Sequence, residues 1–222
     1  MIAIDGTAGS GKSTASRGVA ARLGLRYLDT GAMYRAMTLQ MLRDRIPADD
    51  AAGVALRAET VVLEPGTDPL APTIALAGID VSTQIRSDPV TRGVSAVSSV
   101  PRVRELLVSL QRAVIGTGGI VVEGRDIGTV VAPDADLKMY LTADASARAR
   151  RRTAELKPDQ IRDVAVVETD LLRRDRYDST RKASPMSVAP DAIQLDTTNL
   201  TLAEVIETIV QLARQRLVVA HP

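Results

Sequence analysis

The chain opens on a short apolar run, Met1 to Ile4, and then becomes glycine-rich. Helical spacing begins near Ser13 and puts Val19, Ala20 and Leu23 on one face before Gly24. A glycine just past the last apolar position is a natural helix C-terminal cap, so the pattern predicts strand, loop and helix. A short strand over Arg26 to Leu28 follows, then a helix from about Thr30 to Arg45 that carries Met33, Met37, Leu39 and Met41 and is ended by Pro47. From Val61 to Pro89 the character shifts. Turn formers such as Glu64-Pro65-Gly66-Thr67-Asp68-Pro69 separate short alternating runs, which predicts a small antiparallel insertion. It is assigned to 61–93, inside a core of 1–60 and 94–222.

Beyond it, Val90 to Val97 and Pro101 to Ile115 have helical spacing, the proline suiting a first helical position. The runs Ile120-Val121-Val122 and Leu137-Lys138-Met139-Tyr140-Leu141 fit buried parallel strands, and Ile193-Gln194-Leu195 makes a fifth strand. Helical patterns cover Ala145 to Leu156, Val164 to Tyr177 and Leu202 to Leu217. Alternating strands and helices predict a three-layer α/β domain with a five-stranded parallel sheet, whose ligands bind beyond the carboxyl ends of the strands.

Composition narrows the chemistry. The 222 residues are 45% hydrophobic with no Phe or Trp, so the core is aliphatic, and four tyrosines are few for stacking single-stranded nucleic acid. A net charge of +1 is not the footprint of a duplex binder, although arginines are locally dense in the second half. With no cysteine there is no disulfide, thiolate nucleophile or Cys-based zinc site, and the single histidine, His221, reads as a solvated tail residue. No apolar run approaches the ~20 residues that span a bilayer, and no basic region precedes the first strand. The expectation is a cytosolic protein that binds a small anion, with neither nucleic acid nor membrane as partner.

The motif that carries chemistry is Gly6-Thr7-Ala8-Gly9-Ser10-Gly11-Lys12-Ser13-Thr14. It matches G-x-x-x-x-G-K-[ST] with a strand before and a helix after, as a phosphate-cradling loop requires. Its glycines let successive amides point inward, where the helix dipole favours phosphate oxygens. Lys12 then reaches the β and γ phosphates of a nucleoside triphosphate, and Ser13 is the ligand for Mg2+. The loop alone leaves kinases, ATPases and GTPases open.

The arginines begin to choose. Thr30-Gly31-Ala32-Met33-Tyr34-Arg35 places one on the helix after strand two, and Glu123-Gly124-Arg125-Asp126 places another straight after a buried strand, both at the ligand edge of the sheet. Arg125 suits a second phosphate; pairing with Asp126 or Glu123 is the competing explanation. Arg104, Arg174 and Arg181 also lie near element ends or in loops.

With Pro101-Arg102-Val103-Arg104-Glu105 and Arg174-Asp175-Arg176-Tyr177-Asp178-Ser179-Thr180-Arg181, these segments resemble the bacterial cytidylate kinases of the nucleoside monophosphate kinase group, over essentially the whole chain. The resemblance implies a P-loop kinase fold whose insertion binds the nucleoside monophosphate, with a short lid at 148–162 that includes Arg148 and Arg151. By the same resemblance Ser95, Arg104 and Asp126 hold the cytosine ring, and Arg35, Arg125 and Arg181 the acceptor phosphate, with Thr30 beside them where a serine is common. Arg174 and Asp178 contact the sugar hydroxyls. The implied catalytic set is Lys12, Arg125 and Arg181, and the implied reaction is ATP-dependent phosphorylation of CMP and dCMP in pyrimidine nucleotide metabolism. Separately, the aliphatic core and soluble surface lead to the expectation of a monomer.

Physically, a carboxylate accepts from the cytosine amino group and an arginine fills the ring acceptors, whereas uracil reverses that edge. Three alternatives stay open: a kinase of the same fold acting on AMP, UMP or shikimate, a slowly hydrolysing nucleotide switch, and a nucleic-acid binder using the arginine-rich region. A base-reading trio is useless to a non-nucleotide acceptor, the separated arginines disfavour a switch, and strong salt dependence of oligonucleotide binding is the mark of the last.

Overall fold

A computed structural model describes residues 1–154, 163–181 and 183–220. Strands β1 (Ile2–Gly6), β2 (Arg26–Asp29), β6 (Ile120–Glu123), β7 (Leu137–Thr142) and β8 (Ile193–Asp196) form one parallel sheet in the order β2-β6-β1-β7-β8. The strands alternate between two cores. Ile2, Ile4, Val121, Leu137, Met139 and Leu141 meet α1 (Lys12–Leu23) and α8 (Leu202–Ala220) on one face. Ala3, Leu28 and Val122 meet the Met33, Met37, Met41 stripe of α2 (Thr30–Arg43) and the Val103, Leu107 side of α5 (Pro101–Ile115) on the other. The three-layer arrangement therefore follows from period-two strands between helices with one apolar face each.

A smaller antiparallel sheet, β3 (Leu63–Pro65), β4 (Ile74–Leu76) and β5 (Ile79–Asp80), occupies the predicted insertion. Its long β3–β4 loop returns to the core, where Thr67 O accepts from the Tyr27 amide (2.9 Å) and Pro69 O from Arg17 Nε (3.1 Å). The loop thus covers the otherwise open edge of β2. Helix α4 (Asp88–Ser99) runs unbroken through position 93.

The structure departs locally from the sequence expectations. Helix α2 stops at Arg43, and Arg45 turns the chain with φ 59° before Pro47 is reached. Helix α3 (Ala51–Ala58), which the periodicity did not reveal, is capped by the Asp50 carboxylate on the Gly53 amide at 3.0 Å. A single π-helical turn at Ile127–Val131 was likewise not anticipated. Helices α6 (Ala145–Ala154) and α7 (Val164–Thr180) complete the fold. The remainder of the expected lid, 155–162, and His221 lie outside the described residues. Among the described residues no helix is long and apolar enough to cross a membrane.

Candidate functional site

A cleft of about 510 Å³ opens at the carboxyl ends of β1, β2 and β6 and reaches under the small sheet. One end is the glycine-rich loop. Gly9 and Gly11 hold φ of 76° and 83°, a left-handed geometry that glycine reaches without strain, and it turns the chain into α1. Ala8, Gly9, Gly11, Lys12, Ser13 and Thr14 line the cleft. Gly6, Thr7 and Ser10 build its wall: Gly6 packs too tightly on the Leu141 backbone for a side chain, and Thr7 O accepts from Ser10 Oγ (3.0 Å) and Lys12 Nζ (2.8 Å). Burial, and then the charge of Arg125, push the Lys12 ammonium well below the usual lysine range. An anion in the loop would reverse that.

Beside the loop lies a carboxylate network that the motif reading passed over. Glu123, ending β6, accepts from Ser13 Oγ at 3.0 Å and from the Tyr27 hydroxyl, while its carbonyl accepts from Thr30 Oγ1 at 2.7 Å. Burial first, then the charge of Asp29, raise the Glu123 carboxyl. The signal was available in outline, since this carboxylate ends a buried strand next to the loop strand. A side chain at Gly124 would lie 2.7 Å from Thr30 Oγ1, so the chain can make this approach only with glycine.

At the other end, Asp126 is fully buried, paired with Arg104 and 3.5 Å from Arg181 NH2. Arg104 also donates to Ser98 O (3.3 Å) and stands 5.3 Å over the Tyr34 ring, a cation–π contact. Ser95 lines the same end with Ser98, whose hydroxyl donates to Ser95 O at 3.0 Å. Between the two ends, Arg125 pairs with Asp178 at 3.3 Å and donates to Gly6 O at 3.0 Å. Neither Asp126 nor Glu123 is its ion-pair partner. Arg181 lies 3.9 Å from Asp178 and donates through Nε to Ser184 O at 2.7 Å; burial, then Arg104, lower its pKa.

Arg35 and Arg174 face the middle of the cleft. Arg35 donates to Thr91 Oγ1 at 2.9 Å, and the buried Arg174 Nε has no hydrogen-bond partner among the described residues. Burial pushes Arg35 down to about 9 and Arg174 to about 10, with Arg174 adding to the first and Arg125 to the second. Crowded guanidiniums of this kind call for a polyanion between them.

Arg148 and Arg151 sit behind the loop and do not line the cleft. Arg148 donates to Ala8 O (2.9 Å) and Ala143 O (3.0 Å) and pairs with Asp175, whose other oxygen accepts the Ala8 amide at 2.9 Å. Arg151 donates to Thr197 Oγ1 at 3.0 Å. Their guanidiniums are committed to buried carbonyls and hydroxyls, and from α6 it is Arg152 that lines the cleft. Arg17, Tyr34 and Arg86 also line it without having been singled out in the sequence.

The family model described as cytidylate kinase matches residues 2–215. The cytidylate kinase of Mycolicibacterium paratuberculosis is 52% identical over 223 aligned positions, covering 100% of this chain and 98% of that protein. That of Streptomyces griseus subsp. griseus is 51% identical over 222, covering 99% and 95%. That of Nocardia farcinica is 50% identical over 219, covering 98% and 94%.

Proposed function

The chain belongs to the cytidylate kinase family, and from that premise we propose that its cleft transfers the γ-phosphoryl group of ATP to CMP or dCMP, giving ADP and CDP or dCDP. The observation that carries this reading is the buried Asp126 between Arg104 and Arg181, across the cleft from the phosphate loop. Asp126 would accept from the cytosine amino group, with Arg104 donating to the ring acceptors and Ser95 beside them. Arg35, Arg125 and Arg181 would hold the acceptor phosphate, with Thr30 at its edge, and Arg174 and Asp178 the sugar.

A CMP phosphate oxygen attacks the γ-phosphorus in line. The bond from that phosphorus to the β,γ-bridging oxygen breaks, and its electron pair leaves on ADP. A phosphate monoester has a second pKa of about 6, so this nucleophile is already ionised and no general base is required. The protein's part is positioning and charge neutralisation by Lys12, Arg125 and Arg181. Lys12 exchanges Thr7 O for phosphate oxygens. Arg125 and Arg181 exchange Asp178 and Asp126 for the acceptor.

Mg2+ with ATP fits the oxygen donors present. Ser13 and Glu123 stand 3.0 Å apart beside the loop, and the described residues hold no cluster of three or more His, Asp or Glu able to cage a metal. Mg2+ is usually held by one or two protein oxygens together with substrate phosphates and water. Ser13 and Glu123 would hold it, and it would supply charge neutralisation on the β and γ phosphates. ATP as donor favours a cytosolic setting.

A coupled assay of ADP release, run with CMP, dCMP, UMP, AMP and shikimate as acceptors, tests the reading. CMP and dCMP should be the best substrates. Equal or better turnover of UMP, AMP or shikimate would refute the cytidine assignment.

A further inference from the structure

Asp5 is a buried carboxylate to which the reaction above gives no task. It sits on β1 one residue before the phosphate loop, 4% exposed, with its side chain on the face away from α1. Its two oxygens accept from the backbone amides of Ile127 and Gly128, both at 2.8 Å. These amides open the π-helical turn Ile127–Val131, whose preceding residue is Asp126. The first amides of any helical turn lack partners within the turn, and Asp126 supplies no side-chain cap here. A carboxylate from another strand takes that role. The link is reciprocated, because Arg125 donates to Gly6 O at 3.0 Å. The segment Arg125-Asp126 is therefore tied to β1 on both sides: a β1 side chain holds its following amides, and its own guanidinium holds the β1 backbone.

We propose that Asp5 is a positioning residue for nucleobase selection: by capping the turn after Asp126 it fixes where the Asp126 carboxylate stands relative to the phosphate loop. This rests on the cytidine reading above. Two features support it. The cap is charge-assisted and buried, so it is strong and directional. The tolerance is also small. Asp126 lies between Arg104 and Arg181, and a shift of the turn would leave it nearer one arginine and its acceptor lone pairs misaligned with an amino donor.

The test uses Asp5→Asn, which keeps the shape but presents an acceptor to one amide and a donor to the other, and Asp5→Glu, which keeps both acceptors displaced by one methylene. Steady-state kcat and KM are measured for CMP, UMP and ATP. In Asp5→Asn the ratio of kcat/KM for CMP to that for UMP should fall at least tenfold while KM for ATP stays within about twofold, and Asp5→Glu should recover part of the ratio. If CMP and UMP lose activity in the same proportion, or KM for ATP rises in step, the proposal is overturned and Asp5 is a general support of the fold. Failure of both variants to fold would overturn it in the same way. A wild-type enzyme that does not prefer CMP over UMP would instead remove the premise.

Discussion

The two ends of the cleft are built by opposite means. The proposed donor end is one continuous segment, Gly6 to Thr14, shaped by glycine turns at Gly9 and Gly11. The acceptor end is an assembly of side chains from α2, α4, α5, the turn after β6, and α7 with its C-cap. They neutralise one another: Asp126 with Arg104 and Arg181, and Asp178 with Arg125 and Arg181. On the proposed reading ATP would meet a loop already shaped and would draw Lys12 from Thr7 O, whereas CMP would replace existing ion pairs. Affinity at the donor end would then follow local backbone geometry, and selectivity at the acceptor end would follow how faithfully distant elements are held.

The most severe break in this contrast is Lys12→Ala. Removing the one side-chain cation of the loop should cut kcat by orders of magnitude while circular dichroism and thermal midpoint stay close to wild type, because the loop is held by backbone and by Ser10 and Asp175 contacts. Turnover near wild type would contradict the loop's role.

Asp126→Asn should act on selection instead of chemistry. Presenting an amide where cytosine needs an acceptor leaves buried groups unpaired, so kcat/KM for CMP should fall by about 10³ while that for UMP changes far less. Steady-state kinetics with both acceptors check it.

The seam between the ends is open to a pH test. Burial raises Asp5 from 3.8 to about 6, against the lowering effect of its amide partners. The folded protein then binds this proton more tightly than the unfolded chain, so the group favours folding fully below its unfolded pKa. That contribution is lost as pH rises through about 6. At 1.36 kcal/mol per pKa unit the difference is about 3 kcal/mol. Denaturant unfolding at pH 4 and pH 7 should show Asp5 and the likewise raised Glu123 both favouring the lower pH, and Asp5→Asn should remove only the Asp5 part of the slope; an identical slope in both proteins would rule out a contribution from Asp5.

Smallest is Ser95→Ala, which removes one neutral hydroxyl at the base end. A KM for CMP raised about fivefold, with kcat unchanged, is the scale of one neutral hydrogen bond.

The same contrast explains what could be read from the chain. The parallel sheet was legible because Ile2, Ile4, Val121 and Met139 sit in short apolar runs, and the donor loop because its chemistry is contiguous. At the acceptor end, resemblance to a family singled out residues such as Arg104 and Asp126, which the fold brings together across 22 positions of sequence. What escaped were roles set only by three-dimensional packing. Arg148 and Arg151 look like lid cations on a helical repeat, yet their partners are Ala8, Ala143, Asp175 and Thr197 behind the loop. Asp5 reads as the end of a strand, and nothing near it in sequence points to amides more than a hundred residues away. Helix α3 escaped because its 8 residues span barely two turns, too few for a repeat to stand out, although Asp50 was a usable cap signal.

If the two ends serve one reaction in one cleft, calorimetric titration with adenosine and cytidine joined 5′ to 5′ through five phosphates should reveal both at once. One equivalent should bind at least about 10² times more tightly than ATP or CMP alone, since the second contact becomes intramolecular. Lys12→Ala and Asp126→Asn should each weaken it. Binding no tighter than ATP, or indifferent to Asp126→Asn, would contradict the account.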